Sequence, residues 1–485
     1  MQRDNQYIKD NLEKLQSFTY YQQRFDACPH FMFFLGDAHA SQHQYSKYPI
    51  GQRITAAYFN ADKADWLHPY LELKYTSGEI DKLLEQNSNL AEDMISEFKK
   101  SETEFYVMCN ELAKIDLENL NNEELINYYN NLAEIYTNKL IASPLIDGYA
   151  LSMDTVISQE IENHLEKQNR LKEFVKIFEV LTAPTFLSFL QLEEFDLLMA
   201  KGGLIKHQEK YFWINNNYVS DNILNLDYFK DRVKDFSKIN IKRRIQEIKS
   251  IPIKNNTAKK ALIKELDLPK KLVIQLELTD RFGYWQDERK KGTFWATHYF
   301  SLLLEEIANR SKYSIQELKY AFPSEMESIL KEKISAEELQ KRFKGCLLVW
   351  TRDKYDVTTD AEVISSVMAG KNISIIDKEL RGMTVSLGRA TGKVKVIRST
   401  KEIGKVEKGD ILVAVMTRPD YVPAMKRAAA IITDEGGITC HAAIISREFG
   451  IPCVIGTKIA TKVLKNNMEV EVNANHGYVR IIRNN

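Results

Sequence analysis

One short run near the C-terminus joins a strand to a helix through two glycines, and this constrains the fold more than any other feature. It consists of an apolar stretch, a glycine pair, and a polar opening followed by a helical segment: Ala429 to Ile432, Gly436 and Gly437, and Thr439 to Gly450. Thr439 is predicted to be the N-cap of the helix, with His441 in its first turn. Gly450 and Pro452 predict the end of the helix. A strand that leads directly into a helix requires an α/β arrangement for this part of the chain.

The same run predicts a phosphate site at the histidine. The unpaired N–H groups and the positive end of a helix dipole favour a dianion on the ring of His441. Glycines 436 and 437 let the backbone approach that phosphate without a Cβ in the way. The residues predicted to position the phosphate are Gly436, Gly437, Thr439 and Cys440. The alternative is that His441 is a polar residue tolerated in a first helical turn.

Two linked motifs carry a family resemblance. The run Thr433-Asp434-Glu435-Gly436-Gly437-Ile438-Thr439-Cys440-His441 is preceded by Met416-Thr417-Arg418-Pro419-Asp420-Tyr421 and followed by Pro452-Cys453-Val454-Ile455-Gly456. Together they resemble the phosphohistidine signature of the mobile domain of phosphoenolpyruvate-utilising enzymes. That domain occurs in phosphoenolpyruvate synthase, pyruvate phosphate dikinase and rifampin phosphotransferase.

The resemblance implies a role for each residue around the histidine. His441 matches the carrier that accepts a phosphoryl group at one site and swings to a second site to give it away. A neutral imidazole suits this task because one ring nitrogen is nucleophilic near pH 7. Thr439 matches a threonine that some members use for regulatory phosphorylation, although a role as N-cap is the favoured explanation. Cys440 adjoins the histidine, but the resemblance assigns the chemistry to His441.

Composition indicates a multidomain protein of a reducing compartment. A chain of 485 residues is too long for one ordinary core, and its five cysteines form no paired CxxC spacing. Lysine plus arginine equals aspartate plus glutamate at 67 each, so no overall charge attracts nucleic acid or an anionic membrane. The N-terminus has no apolar leader, and no stretch is long and apolar enough for a membrane span. We therefore expect a cytoplasmic protein without a nucleic-acid or membrane partner.

The hydrophobic pattern changes near Gly345. Before it, apolar residues recur at helical spacing, with capping signals at Asn121, Ser314, Ser324 and Ser335 and a long amphipathic stretch from Trp285 to Ala308. After it come short apolar runs typical of strands: Cys346 to Thr351, Val394 to Ile397, Ile411 to Met416, Ala429 to Ile432, Cys453 to Ile455, Met468 to Val472 and Tyr478 to Ile482. A short helix is predicted from Ala361 to Val367.

These patterns predict a multidomain α plus α/β protein. Residues 1–345 form a large, mostly helical region that holds a substrate, and residues 346–381 form a small β/α connector and hinge. The hinge is predicted between Gly370 and Gly382. Residues 382–485 form the phosphohistidine domain, for which the resemblance implies a swivelling β/β/α fold.

Parts that the family usually carries are not evident in the sequence. No glycine-rich, lysine-bearing region of the ATP-grasp kind precedes the histidine, and no sequence follows the predicted mobile domain to form a pyruvate-binding barrel. We therefore expect a separate ATP-grasp protein to supply the phosphoryl group from ATP with Mg²⁺, as the resemblance implies. The predicted function is a phosphotransferase component that passes this group from His441 to a small hydroxyl-bearing acceptor in the helical region. The alternative is a regulatory or binding protein that keeps the mobile domain without turnover.

Two further patterns lie in the predicted helical region. Arg281, Trp285 and Arg289 share one helical face at i, i+4 and i+8, which predicts a phosphate clamp beside an aromatic wall, or else an exposed salt-bridged face. His39 and His43 form an i, i+4 pair, with Asp37 nearby, that suits a divalent metal. No third ligand is clear, so no metal site is predicted.

Overall fold

The computed structural model describes residues 2–3, 6–42, 47–87, 89–142, 144–200, 202–236, 240–352, 354–369, 379–437, 440–457, 459–475 and 477–483. Within it the chain separates into two compact units. Unit 1 consists of Met1–Tyr149, Trp213–Ile223 and Glu288–Asn372, and unit 2 consists of Ala150–Phe212, Leu224–Asp287 and Ile373–Asn485.

The secondary structure is numbered in chain order. The helices are α1 (Gln6–Asp10), α2 (Leu12–Ser17), α3 (Pro29–Ser41), α4 (Tyr70–Gln86), α5 (Leu90–Leu112), α6 (Asn122–Leu140), α7 (Pro144–Lys167), α8 (Phe174–Thr182), α9 (Phe189–Met199), α10 (Leu204–Tyr211), α11 (Leu226–Asp235), α12 (Ile241–Leu266), α13 (Lys270–Asn309), α14 (Ile315–Leu318), α15 (Met326–Leu330), α16 (Ala336–Lys344), α17 (Ala361–Met368), α18 (Val422–Met425), α19 (His441–Phe449) and α20 (Ala460–Val463). The strands are β1 (Gln2–Arg3), β2 (Tyr20–Asp26), β3 (Ile54–Asn60), β4 (Lys63–Pro69), β5 (Cys346–Thr351), β6 (Lys354–Thr358), β7 (Glu379–Arg381), β8 (Met383–Ser386), β9 (Arg389–Ile397), β10 (Ile411–Ala414), β11 (Ala430–Thr433), β12 (Cys453–Ile455), β13 (Glu469–Asn473) and β14 (Tyr478–Arg483).

Unit 1 contains a six-stranded sheet of order β1-β6-β5-β3-β4-β2. β3 and β4 form a hairpin whose two loop residues, Ala61 and Asp62, both have positive φ, as a tight hairpin turn requires. β5 lies between β3 and β6, and Ile54 of β3 is opposite Thr351 of β5. Residues of β5 contribute to two apolar clusters, which explains its continuous apolar sequence.

The helices of unit 1 pack through apolar residues at helical spacing, as the sequence predicted. Asn121 and Glu124 form the expected capping box at the start of α6. Leu125, Tyr129 and Leu132 of that helix are buried against α5 and the second half of α13. The capping residues and the apolar spacing in the sequence are therefore sufficient to predict α6.

Unit 2 contains an eight-stranded sheet of order β7-β14-β13-β9-β10-β11-β12-β8. Its centre is parallel, because β10 pairs in parallel with both β9 and β11, and β11 with β12. Unit 2 also contains α8 to α12 and residues 270–287 of α13, which we call the helical arm, and within it α12 packs against α8 and α9. α19 follows β11 and packs on β8 and β12.

The predicted secondary structure is largely confirmed after residue 345 and partly wrong before it. Every predicted strand after Gly345 is present, and the helix predicted from Ala361 is α17. The region before residue 345 is mostly helical, as predicted, but it also contributes β1 to β4 to a sheet, which the sequence did not predict. Ser324 is not an N-cap, because Pro323–Glu325 is a 3₁₀ turn, and the Ser324 hydroxyl bonds with the Tyr355 hydroxyl instead. Most of the predicted hinge, residues 370–378, lies outside the described residues.

Candidate functional site: a histidine at a helix start

The candidate site lies where the central parallel strands of unit 2 end. β11 is flanked by β10 and β12, and the backbone pairing continues past its end through Asp434 N–H to Ala414 O at 3.1 Å and Glu435 N–H to Val415 O at 2.9 Å. Ligands of parallel α/β sheets bind at this edge, beyond the carboxyl ends of the strands. The segments that follow β10 and β11 are therefore fixed next to each other where a ligand would bind.

The helix that carries the histidine begins one residue later than predicted. α19 starts at His441, and its N-cap is Cys440, whose Sγ accepts a hydrogen bond from the Ala443 N–H at 3.4 Å. The prediction of Thr439 as the N-cap is therefore wrong, and Thr439 itself lies outside the described residues. Gly450 ends the helix in the left-handed conformation, as expected.

Gly436 has a conformational role in the turn before the helix. Its φ is +126°, and a Cβ at this position would lie 2.8 Å from the Cys440 Sγ. A side chain is excluded on both counts, because L-residues rarely adopt this φ and the space is occupied by the N-cap. The next residue, Gly437, accepts a hydrogen bond from the Cys440 N–H at 2.9 Å. The glycine turn thus fixes the start of α19.

Thr417 holds the ring of His441. The threonine hydroxyl lies 2.9 Å from His441 Nδ1, and Thr417 is buried in the segment after β10, whereas His441 is half-buried. The sequence places Thr417 in the upstream motif but does not predict this contact. The contact fixes the orientation of the imidazole.

The carboxylate of Asp434, two residues before Gly436, is engaged in hydrogen bonds with the segment after β12. Its carboxylate accepts hydrogen bonds from the Thr461 N–H at 3.0 Å, the Thr461 hydroxyl and the Thr457 hydroxyl. Burial raises the pKa of Asp434, and these hydrogen bonds oppose the rise. Asp434 therefore ties the segment after β12 to the turn that precedes His441.

The family comparison agrees with this geometry. The family description "PEP-utilising enzyme, mobile domain" matches residues 406–477, which include Thr417, the glycine turn and His441. These residues form a mobile domain of the PEP-utilising enzymes.

Relatives of the mobile domain are named as phosphoenolpyruvate synthases. The chain is 68% identical over 100 residues to a probable phosphoenolpyruvate synthase of Archaeoglobus fulgidus, which covers 21% of this chain and 13% of that protein. It is 62% identical over 100 residues to the phosphoenolpyruvate synthase of Pyrococcus furiosus, covering 21% of this chain and 12% of the relative. It is 37% identical over 219 residues to that of Aeropyrum pernix, covering 44% of this chain and 24% of the relative.

The matches reach only part of either protein. The chain spans less than a quarter of the length of each of these relatives. Among solved structures, it is similar over 22% of its length to the holo-form of aconitase X from Thermococcus kodakaraensis, at 23% identity and a TM-score of 0.18.

In the described part of the chain, no helix has the length and apolar character needed to cross a lipid bilayer.

The mobile domain contacts the helical arm of unit 2 through the C-terminal half of α19. Glu448 accepts hydrogen bonds from Arg244 Nη2 at 3.0 Å and from Gln191 Nε2 at 3.1 Å. Arg244 also makes two hydrogen bonds with the carboxylate of Glu194, at 2.7 and 2.8 Å. One guanidinium therefore joins two carboxylates, one from the mobile domain and one from the arm.

A second polar contact lies beside the first. Arg447 Nε donates to Val385 O at 2.8 Å within the mobile domain, and its Nη2 donates to the Thr182 hydroxyl of the arm at 2.9 Å. Next to this contact is a small cleft that is lined by Thr182, Pro184, Phe186, Lys259, Leu276, Thr279, Asp280 and Ile444. Ile444 is three residues after His441, so the cleft borders the helix of the candidate carrier. We call this set of contacts between α19 and the arm the α19 seam.

Burial changes the titration of the charged groups in the seam. Burial and the nearby Glu194 raise the pKa of Glu448, and Arg244 opposes this rise. Although burial alone would raise it, the pKa of Glu194 is lowered by its hydrogen bonds with Arg244. The guanidinium therefore opposes the effect of burial on the pKa of both neighbouring carboxylates.

The three residues of the predicted clamp have different surroundings. Arg281 lies 5.7 Å from the ring centroid of Tyr284, and the buried Trp285 packs edge-on against Phe282. Arg289 belongs to unit 1, where its guanidinium makes a two-pronged contact with Asp147 at 2.7 and 3.0 Å. A phosphate clamp built from these residues stays a prediction.

One histidine of the i, i+4 pair lies in the described chain. His39 is buried in unit 1, and His43 lies outside the described residues. No group of three or more His, Cys, Asp or Glu side chains among the described residues is arranged to hold a metal ion.

Proposed function

We propose that this chain is a phosphotransferase component in which His441 Nε2 carries a phosphoryl group. The observation that carries the proposal is the hydrogen bond between Thr417 and His441 Nδ1 at the start of α19, within a domain that matches the mobile domain of PEP-utilising enzymes. Nε2 is nucleophilic only when the proton resides on Nδ1. In that tautomer Nδ1–H donates to the Thr417 hydroxyl oxygen, so the threonine accommodates the reactive form and holds the ring in place.

Transfer then takes two displacements at phosphorus. In the first, Nε2 attacks, the N–P bond forms and the bond between phosphorus and the donor oxygen breaks. In the second, an acceptor hydroxyl oxygen attacks, the N–P bond breaks and the hydroxyl proton is released to a base or to water. Such steps require positioning and neutralisation of charge from the protein. The backbone N–H groups and dipole at the start of α19 supply part of that charge neutralisation.

The nucleotide and its metal belong to another protein in this proposal. As the family resemblance implies, we place ATP and Mg²⁺ on a separate ATP-grasp protein that loads His441.

The acceptor in this proposal is a small hydroxyl-bearing molecule bound by the region before residue 345. One histidine must then travel between a donor on another protein and an acceptor bound to this chain. The α19 seam represents one docked position of the mobile domain on the helical arm. Polar contacts suit a reversible interface, since a dry apolar interface would hold the two parts together permanently.

A heterologous donor tests the central step. The nucleotide-binding part expected of the Archaeoglobus fulgidus relative, with its own mobile domain removed, is incubated with this chain, ATP and Mg²⁺. We expect one phosphoryl group per chain, labile in acid and stable in alkali, and none on His441→Ala. His164→Ala is the matched control, because His164 is a half-buried helical histidine that bonds with Leu266 O at 2.8 Å, far from α19 in sequence.

Intact-protein mass spectrometry gives the answer directly. Equal phosphate uptake by the natural chain and His441→Ala would remove His441 as the carrier. A control reaction supplies the donor with its own mobile domain as a separate fragment. If the donor phosphorylates that fragment but no form of this chain, a regulatory or binding protein without turnover is favoured.

A further inference from the structure

A buried polar cluster in unit 1 is not explained by phosphoryl transfer. Its side chains come from α3, from the segment before β3, and from β4, α7 and α13: His39, Gln52, Trp66, His68, Asp147 and Arg289. Each of these residues is at most 9% exposed. All of them belong to unit 1, so the cluster is separate in sequence and unit from the mobile domain.

His39 has both ring nitrogens buried without a hydrogen-bond partner in the described chain. The nearest charged group, Asp147 Oδ2, is 4.0 Å from His39 Nε2, which is beyond hydrogen-bond distance. Protein interiors pair almost all buried polar groups, and an unpaired one costs free energy. An imidazole with two unpaired nitrogens at 2% exposure therefore calls for a partner that the described residues do not supply.

Other unpaired donors lie around the same ring. Gln52 Nε2 and Trp66 Nε1 are also buried without a partner in the described residues. Gln52 is joined to His68 by the contact between Oε1 and Nδ1 at 2.9 Å. The His39 ring centroid lies 5.7 Å from that of His68 and 5.9 Å from that of Trp66. The three rings are therefore neighbours, and the unpaired nitrogens of His39, Gln52 and Trp66 belong to one buried cluster.

The charges of the cluster cancel. Arg289 and Asp147 form a two-pronged ion pair at 2.7 and 3.0 Å. Burial, followed by His68 and Arg289, lowers the pKa of His39 to about 3, and the charge of Asp147 opposes this shift. Burial also lowers the pKa of His68 to about 4, so both imidazoles are neutral at neutral pH. A ligand with a net charge would gain no ionic partner here and would lose its hydration.

The available groups include both donors and acceptors. Gln52 Oε1 can only accept, so His68 Nδ1 carries the proton and His68 Nε2 is an acceptor. A neutral His39 offers one donor and one acceptor, while the Gln52 amide and the Trp66 indole offer donors. A hydroxyl group is the small neutral function that both donates and accepts, and it matches this set.

Packing fixes the walls of the cluster. Trp66 is stacked on Trp350 with ring centroids 5.5 Å apart. On α3, Gly36 lies against the same Trp350, where a Cβ would come within 2.2 Å of the ring. The helix that carries His39 is therefore seated closely on the sheet, and the imidazole is held in place before any ligand arrives.

We propose that His39, Gln52, Trp66 and His68 form a binding site for a small neutral hydroxyl-bearing molecule, a polyol or a sugar. The site does not depend on His441, since no residue of the cluster belongs to the mobile domain. It can therefore be present whether or not phosphoryl transfer is the function of the chain.

The test is direct binding to the full-length chain carrying His441→Ala, which removes transfer. Glycerol, myo-inositol and glucose are the neutral probes, and glycerate and gluconate are their anionic counterparts. Calorimetry and tryptophan fluorescence are recorded, because Trp66 borders the site. We expect saturable binding of at least one neutral probe and none of the anions. Absence of binding by every neutral probe, or binding of the anions alone, overturns the proposal.

Variants locate the site. His39→Phe keeps an aromatic ring but removes both nitrogens, and it should weaken binding roughly tenfold or more, the value of one to two hydrogen bonds. His39→Leu also removes both nitrogens, and it covers the case in which the phenylalanine variant does not fold. His164→Ala should bind as the parent does. Unchanged affinity in both folded His39 variants would mean that the probes bind elsewhere and that the cluster is not the site.

Discussion

The α19 seam gives the sharpest prediction, because one side chain connects its two sides. Arg244 pairs with Glu194 of the helical arm and Glu448 of the mobile domain, and its side chain is 21% exposed. Replacing it by glutamate leaves three carboxylates facing one another. We expect Arg244→Glu to release the C-terminal half of α19 from the arm.

The magnitude follows from burial. Removing one partner of a fully buried ion pair costs about 3–5 kcal/mol, whereas an exposed pair is worth about 0–1 kcal/mol. The Glu448 side chain is 5% exposed and that of Arg244 is 21% exposed, so the pair lies between these limits. A value of about 2 kcal/mol corresponds to a roughly 30-fold increase in the population of the undocked state.

Amide hydrogen exchange read by mass spectrometry measures this change. Peptides from α9, α12 and α19 should exchange faster in Arg244→Glu, while those of the six-stranded sheet should not change. The double variant Arg244→Glu with Glu448→Arg restores an opposite-charge pair and should recover most of the protection. Arg243→Glu is the control, because Arg243 is the neighbouring arginine with a 79% exposed side chain that pairs only along its own helix with Glu247.

Two results would refute the reasoning. The first is equal exchange in Arg244→Glu and Arg243→Glu, which would mean that the ion pair contributes nothing to docking. The second is a double variant no better protected than the single one, since the effect would then arise from lost packing of the arginine stem rather than from charge.

The other predictions concern the carrier and its fold. Thr417→Val should slow phosphorylation of His441 roughly tenfold, the value of one lost hydrogen bond, while Thr417→Ser keeps the rate; quench-flow labelling measures both. Gly436→Ala should lower the melting temperature measured by calorimetry, because of its φ of +126° and the close sulfur, whereas Gly404→Ala, with open space around it, should not. Burial lowers the pKa of His30 to about 4, so the unfolded chain binds more protons below pH 6.5 and stability falls as pH drops from 6.5 towards 4. His30→Met should reduce the pH dependence of the melting temperature over that range, since the buried His39 and His68 remain and act in the same direction, and an unchanged slope would show that other groups cause it.

Local signals predicted the neighbourhood of the candidate carrier well. The strand before the glycine turn, the helix with His441 in its first turn and the end at Gly450 are all present. These features depend on residues within a few positions of each other, so periodicity and glycine placement suffice. The N-cap was assigned one residue too early because Thr is a better N-cap than Cys on propensity alone, and propensity does not include the contact between Gly436 and Cys440.

Long-range pairing explains what the sequence did not predict. β2 reads Tyr20–Asp26 with four polar or charged residues and no clear alternation, and it becomes a strand because β4 pairs along its full length. Helical spacing grouped Arg289 with Arg281, yet the partner of Arg289 is Asp147, 142 residues away. Likewise, no spacing rule brings Gln52 to His68 or Thr417 to His441, since those contacts depend on how separate segments meet.

The strand order of the unit 1 sheet also determines which strands can pair while the chain is being synthesised. β3 is complete at residue 60, but β5, the strand that lies beside it, begins at residue 346. At a synthesis rate of about 5–20 residues per second, the ribosome adds the intervening segment over roughly 15–60 s. Throughout that time the β3–β4 hairpin exposes one edge without its native neighbour, and such an edge can recruit strands of other chains. A nascent chain released before residue 346 would keep that edge open, so chaperone binding should be strongest on ribosome-bound chains that end between residues 70 and 345.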